Sequence, residues 1–109
     1  MFVNNGISTW VQAEVIDNEV RFTLTQLSRA CGVDDAEIIG LVEEGVVQGV
    51  DPNNVFFNSH ALSRARTALR LLRDLELNAH ATALVLDLLD QIDDLRIELT
   101  HWRAQAGLR

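Results

Sequence analysis

Three aspartates in the C-terminal third of the chain have a spacing that could hold a metal ion. Asp87, Asp90 and Asp94 lie at positions i, i+3 and i+7, which share one face of a helix. Carboxylates in this arrangement could bind a hard cation, but no glycine-containing loop adjoins them to complete such a site. We therefore interpret the three side chains as a solvated helix face and predict no metal site.

The remaining candidate ligands and nucleophiles are scattered along the chain. His60, His80 and His101 share no ligand spacing with one another or with Cys31. Cys31 lies on the expected buried stripe of a short helix, which favours core packing over nucleophilic chemistry. Phosphate-binding glycine loops, nucleophile elbows and metalloprotease motifs do not occur in the sequence. We predict that the protein is not an enzyme and binds no cofactor.

The charge of the chain is strongly acidic and unevenly distributed. The 109 residues, enough for one domain, include 16 acidic side chains and nine basic ones, all arginine, for a net charge of −7. Residues 1–58 alone carry nine acids and two arginines. This balance disfavours a nucleic-acid binder, whose affinity comes mainly from neutralising phosphates. The single cysteine, the absence of a secretory signal and the shortness of the apolar stretches predict a soluble, cytoplasmic protein.

The first 21 residues are predicted to be an N-terminal extension containing a β-hairpin. Apolar and polar residues alternate over residues 10–16, Asp17 and Asn18 supply turn chemistry, and β-type residues resume over 19–24. Residues 1–8 carry no clear signal for a strand or helix and are expected to fray.

Two short helices are predicted to follow with the spacing of a helix-turn-helix. The first is expected to be capped by Thr25 and to end at Gly32. The second has Asp34 as its N-cap and Glu37 three residues later, a capping-box pattern, and ends at Gly45. Only two residues separate the helices, so they must meet at a sharp angle.

A small β-hairpin, or wing, and a third helix are predicted next. Residues 46–50 and 55–57 are β-prone and flank a turn at 51–54. Asn58 or Ser59 then caps the third helix. The outer face of this helix carries the basic residues Arg64, Arg66, Arg70 and Arg73. We expect these arginines to pair with acids of a neighbouring helix or of a second copy.

The last helix is the longest and carries a coiled-coil pattern. It is predicted to run from an N-cap at Asn78 to about Ala106. Its apolar residues repeat at alternating intervals of four and three: Ala81, Val85, Leu88, Ile92, Leu95, Leu99 and Trp102. This heptad seam is typical of helix pairing, and the preceding domain is too small to cover it. We therefore predict a homodimer formed through the helix at 78–106, whereas Leu84, Leu86 and Leu89 pack on the third helix.

The order of these elements resembles the MerR-like winged helix-turn-helix superfamily and, within it, the chaperone-modulatory CbpM family. The resemblance covers roughly residues 22–105 and rests on the order of several weak motifs. They are Phe22-Thr-Leu-Thr25, Gly45-Val-Val47, Phe56-Phe-Asn-Ser-His60 and Leu86-Asp-Leu-Leu-Asp-Gln-Ile-Asp-Asp-Leu95. It implies a mainly α fold with a small β component: a winged helix-turn-helix domain over 22–77 followed by the long helix. Residues 1–21 lie outside it.

The resemblance also implies a function. Members of the CbpM family bind the J-domain of a DnaJ-like co-chaperone, CbpA, and inhibit it, and a J-domain presents a basic helix. Five acids on and beside the second helix are the predicted J-domain interface: Asp34, Asp35, Glu37, Glu43 and Glu44. The alternative is a MerR-type transcription regulator, but these five acids lie where a helix-turn-helix reads DNA, and no base offsets them.

Overall fold

The mainly helical fold with a small antiparallel sheet agrees with the sequence-based prediction. The structure is a computed structural model and describes residues 1–4 and 10–107. In chain order the described elements are β1 (Phe2–Asn4), β2 (Trp10–Gln12), β3 (Glu14–Ile16), β4 (Glu19–Thr23), α1 (Leu24–Cys31), α2 (Asp35–Glu43), β5 (Phe56–Phe57), α3 (Ser59–Asp74) and α4 (Ala79–Gln105). None of the helices in these residues combines the length and hydropathy needed to span a bilayer.

The predicted N-terminal hairpin is present as β3 and β4, and a second small antiparallel sheet precedes it. β1 pairs with β2, and β3 pairs with β4, which also pairs with β5. The predicted strand over 10–16 is interrupted at Ala13, whose side chain is fully buried, so its halves pair with different partners. Asp17 and Asn18 form the predicted turn, both at positive φ, as a type I′ turn requires.

The expectation that residues 1–8 fray is wrong for residues 1–4, where Phe2–Asn4 form β1. The backbone groups of Met1 and Ala13 exchange two hydrogen bonds, which extend the pairing of β1 with β2. The prediction for residues 5–8 lies outside the described residues.

The helix-turn-helix is present, but α1 begins two residues earlier than predicted. Thr23, not Thr25, is the N-cap. Its side-chain oxygen accepts a hydrogen bond from the backbone N–H of Gln26, and the Gln26 side chain accepts one from the backbone N–H of Thr23. This reciprocal capping box fixes the start of α1 directly at the end of β4. Gly32 ends the helix at φ 71°, as predicted.

The second helix starts at the predicted N-cap but without the predicted capping box. Asp34 has extended backbone dihedrals, and its side chain makes no capping hydrogen bond. The backbone N–H of Glu37 donates instead to the backbone carbonyl of Asp34, at 3.1 Å. Negative charge in the first turn still favours the helix through its dipole.

The predicted wing hairpin is wrong in its first strand. Val46 and Val47 are fully buried in the core, and their backbone N–H groups donate to the carbonyl of Leu41 at the end of α2. Because both residues turn inward there, β5 pairs with β4, placing Phe57 opposite Phe22. Residues 48–55 form no strand, but the backbone N–H of Val50 donates to the carbonyl of Phe56 in β5 at 2.8 Å.

The longest helix, α4, is anchored only through its first turns. Asn78 caps it as predicted, and Thr82 and Leu86 are buried against the domain, where α4 packs on α3. The prediction that Leu84 also packs on α3 is wrong, because Leu84 is 60% exposed. Leu89 lies at the edge of this contact, where it lines a cavity with Ser63 and Thr67 of α3. Thr82 and Leu86 are one helical turn apart, whereas Leu84 lies on the other side of the helix.

Candidate protein-binding site

The five predicted interface acids lie together on and beside α2, and all are exposed. We call this set the acidic surface: Asp34, Asp35, Glu37, Glu43 and Glu44. Within residues 1–4 and 10–107, none of the five forms an ion pair with a basic side chain. Their charge is therefore uncompensated by the rest of the described chain.

One member of the acidic surface has an internal role that the sequence did not indicate. The hydroxyl of the buried Ser28 donates a hydrogen bond to Asp35, and the hydroxyl of Thr25 donates to the same carboxylate at 3.1 Å. These contacts hold the start of α2 against α1 and so fix the angle between the two helices. Asp35 therefore helps to position the acidic surface.

Glu43 and Glu44 are the members of the acidic surface that local structure explains least. Glu43 is the last residue of α2 and Glu44 is its C-cap. Negative charge near a helix C-terminus is unfavourable, and α2 has no basic residue in its last turn. The pair therefore does not stabilise the helix that carries it.

The loop beside α2 is held in place by two side chains. The carboxylate of Asp51 accepts hydrogen bonds from the backbone N–H groups of Phe56 and Val55, and these bonds lower the pKa of Asp51. The side-chain oxygen of Asn54 accepts from the N–H of Gly49 at 2.7 Å. A Cβ atom at Gly49 would lie 2.7 Å from the Cα of Asn54, so only glycine fits there. These contacts therefore hold the loop in one conformation next to the acidic surface.

The predicted pairing of third-helix arginines with a neighbouring helix is confirmed for Arg64. Its guanidinium donates to Asp87 and Asp90 of α4, each at 2.7 Å, and its Nε donates to the carbonyl of Val46. We call this set the Arg64 clamp; it joins α3, α4 and the segment after α2. Arg66 donates to the carbonyl of Ala30 at 2.9 Å, which joins α3 to α1.

The Arg64 clamp also changes the interpretation of the aspartates that could have held a cation. Asp87 and Asp90 are ion-paired with Arg64 and are not a purely solvated face, whereas Asp94 is exposed. Among the described residues, no group of three His, Cys, Asp or Glu side chains is arranged to hold a metal.

The histidines and the cysteine are separate from the acidic surface. His60 lies 3.7 Å from Asp90 at the edge of the Arg64 clamp, and His101 contacts Gln105 within α4. Cys31 is half-buried, and burial raises the pKa of its thiol, an effect that the Arg66 guanidinium only partly opposes. A thiol held protonated in this way is a poor nucleophile, in agreement with a packing role.

Comparison with known proteins supports the resemblance seen in the sequence. The family described as "MerR HTH family regulatory protein" matches residues 22–104. A "Chaperone modulatory protein CbpM" of Coxiella burnetii (strain Dugway 5J108-111) is 32% identical over 91 residues, covering 82% of this chain and 86% of the relative. The chain belongs to the CbpM family of MerR-like helix-turn-helix proteins.

Further CbpM relatives come from other bacteria. The CbpM of Pseudomonas putida (strain GB-1) is 31% identical over 90 residues, covering 81% of this chain and 89% of the relative. The CbpM of Citrobacter koseri is 31% identical over 86 residues, covering 77% and 85%. In this CbpM-like chain the family match begins at Phe22, inside β4, so the preceding strands contribute to the same fold from outside the matched segment.

Proposed function

We propose that this CbpM-like protein is a cytoplasmic chaperone modulator that binds the J-domain of a DnaJ-like co-chaperone of the CbpA type and inhibits it. It acts by protein–protein contact and not by catalysis. The observation that carries the proposal is the acidic surface, which is exposed and uncompensated within the described chain. A basic helix, such as a J-domain presents, complements it.

The contact is expected to depend most on Glu43 and Glu44. Changing both to Lys reverses the charge at the end of α2, where a basic partner helix would meet it. We expect J-domain affinity, measured by isothermal titration calorimetry, to fall by about tenfold or more.

A matched control is the double change of Asp93 and Asp94 to Lys. These two neighbouring acids are exposed on α4, and the change alters the net charge by the same amount. The control should bind nearly as well as the wild type. Equal affinity of the wild type and the Glu43/Glu44 variant would contradict this placement of the interface.

We further propose that the protein acts as a homodimer through the distal half of α4. Every described residue from 91 to 107 is exposed. That stretch includes Ile92, Leu95, Leu99 and Trp102 of the heptad seam. Apolar side chains in a heptad repeat are stable in water only when a partner helix covers them, and a second copy is the simplest partner.

The alternative function, a MerR-type transcription regulator, is favoured by the description of the matched family as regulatory. The acidic surface argues against it, because α2 would bring uncompensated carboxylates against DNA phosphates. We expect no duplex binding above background in a fluorescence titration at low salt, around 50 mM.

The salt dependence of duplex binding decides between the two functions. Specific binding whose logarithmic affinity falls steeply with the logarithm of salt concentration would show real phosphate contacts and favour the transcription regulator. A flat, weak signal at all salt concentrations is the result expected for the chaperone modulator.

A further inference from the structure

An apolar groove runs along the inner edge of the acidic surface, between α2, the start of α1 and the loop at 48–55. It has a volume of about 240 Å³. Leu24, Ile39, Val42 and Phe57 line it on the apolar side, and Glu43 lines it at the edge. We call this feature the α2 groove. Its lining combines apolar side chains with the Glu43 carboxylate and, on the loop side, Asn53 and Asn54.

The spacing along α2 explains this combination. Ile39, Val42 and Glu43 lie at i, i+3 and i+4 and therefore share one face of the helix. The core face is formed instead by Ile38 and Leu41, which are buried. Ile39 remains 42% exposed although it is a large aliphatic side chain. On this second face the described chain leaves Ile39 exposed, whereas Val42 is partly buried against the core.

We propose that the α2 groove receives the apolar side chains of a cationic amphipathic helix from a partner protein, with Glu43 pairing with its charges. This inference rests on the proposed function and specifies where the partner helix binds at the acidic surface. An amphipathic helix laid in a groove uses apolar anchors at i, i+3 and i+4 for affinity. The charges flanking those anchors set the orientation and the rate of association.

A larger groove, with a volume of about 480 Å³, does not share these properties. It lies beside the Arg64 clamp, and its charged lining residues Arg64, Asp87 and Asp90 already pair with one another. A partner entering there would have to replace existing ion pairs. The α2 groove needs no such replacement, because Glu43 has no basic partner among the described residues.

Charge also favours a foreign helix over a second copy of this chain in the α2 groove. The exposed helix that a second copy would offer is α4. Between residues 87 and 98 α4 carries five acids and one arginine. Such a helix would be repelled by Glu43 and the neighbouring carboxylates, whereas a cationic helix would be attracted.

The test compares the change of Ile39 to Asp with the same change at Ile97. Ile97 is an exposed isoleucine of α4 that lies off the heptad seam, so it is a matched control. The probe is the isolated J-domain of a CbpA-type co-chaperone, titrated by calorimetry. Ile39→Asp adds negative charge, which by itself would strengthen binding of a cationic partner. Any loss of affinity for such a partner must therefore come from lost apolar contact. We expect about a tenfold or greater loss of affinity for Ile39→Asp and little change for Ile97→Asp.

A second pair of variants guards against loss of folding. Glu43→Gln removes a charge in the α2 groove, and Glu37→Gln removes one from another face of the same helix. We expect Glu43→Gln to slow association and to reduce its salt dependence more than Glu37→Gln does. Circular dichroism of all four variants should match that of the wild type.

The outcomes distinguish failure of the groove proposal from failure of the proposed function. If the wild type binds the J-domain and neither Ile39→Asp nor Glu43→Gln weakens the binding, the groove proposal is wrong. The proposed chaperone function is then unaffected. Absence of J-domain binding by the wild type would contradict both. A change of oligomeric state on Ile39→Asp, seen by light scattering, would show that a second copy occupies the groove and would also overturn the proposal.

Discussion

Changing Leu95 or Leu99 to Asp is expected to convert the protein from a dimer to a monomer. Leu95 is 62% exposed and Leu99 49% exposed, and both belong to the heptad seam of α4. In a paired coiled coil these positions would be enclosed by four residues of the facing helix. A carboxylate placed there would lose its hydration without gaining a partner, which costs far more than the contacts of one seam position supply.

Light scattering checks this prediction against the 12.2 kDa mass of one chain. The matched control is Ile97→Asp, which places the same charge on an exposed position of the same helix outside the seam, and it should remain dimeric. The monomeric variants should also lose far-UV ellipticity, because an uncovered helical segment of about 15 residues is marginally stable in water. A wild type that is already monomeric would contradict the dimer.

Helix termini and helix order could be predicted from the sequence because their signals are local. Asn58 and Asn78 cap α3 and α4 through their own side chains, and Gly32 takes the left-handed conformation that ends α1. Each signal involves residues within four positions along the chain. The same holds for the turn at Asp17 and Asn18.

The errors arise where distant residues decide the structure. Residues 46–50 have the composition of a strand, but burial of Val46 and Val47 behind α2 removes them from any sheet. The pairing of β5 with β4 joins Phe57 to Phe22, 35 positions earlier. The start of α1 is an exception, because Thr23 caps it through Gln26, only three positions later, while also forming the last residue of β4.

The candidate site was predicted in composition but not in internal detail. The acids around α2 are visible in the sequence, and their exposure follows from the amphipathic pattern of the helix. The bonds from Ser28 and Thr25 to Asp35 depend on the angle at which α1 meets α2. The α2 groove depends on the path of the loop at 48–55, which the predicted hairpin did not describe. Contacts of this kind exist only once the helices have packed.

Changing Arg64 to Met is expected to destabilise the protein by about 2 kcal/mol. A charge-assisted hydrogen bond contributes about 1.5–3 kcal/mol. Two of the three acceptors of Arg64 lie on partly exposed aspartates, so their bonds contribute less than this. The Arg64 side chain is only 12% exposed, and it joins three separate segments. Methionine preserves much of the aliphatic packing but leaves the carbonyl of Val46 without its donor. The midpoint of thermal unfolding should fall by about 10 °C.

The matched control for this change is Arg70→Met, an exposed arginine on the same helix. It should shift the unfolding midpoint by about 2 °C or less, because an exposed arginine contributes little to stability. Equal midpoints for the two variants would show that the Arg64 clamp does not stabilise the fold. Because Arg64 is largely shielded from solvent, the difference should persist at 1 M salt, where interactions between fully exposed charges are screened. Persistence at high salt would show that shielded contacts of Arg64, and not screened surface charges, join α4 to α3 and to the segment after α2.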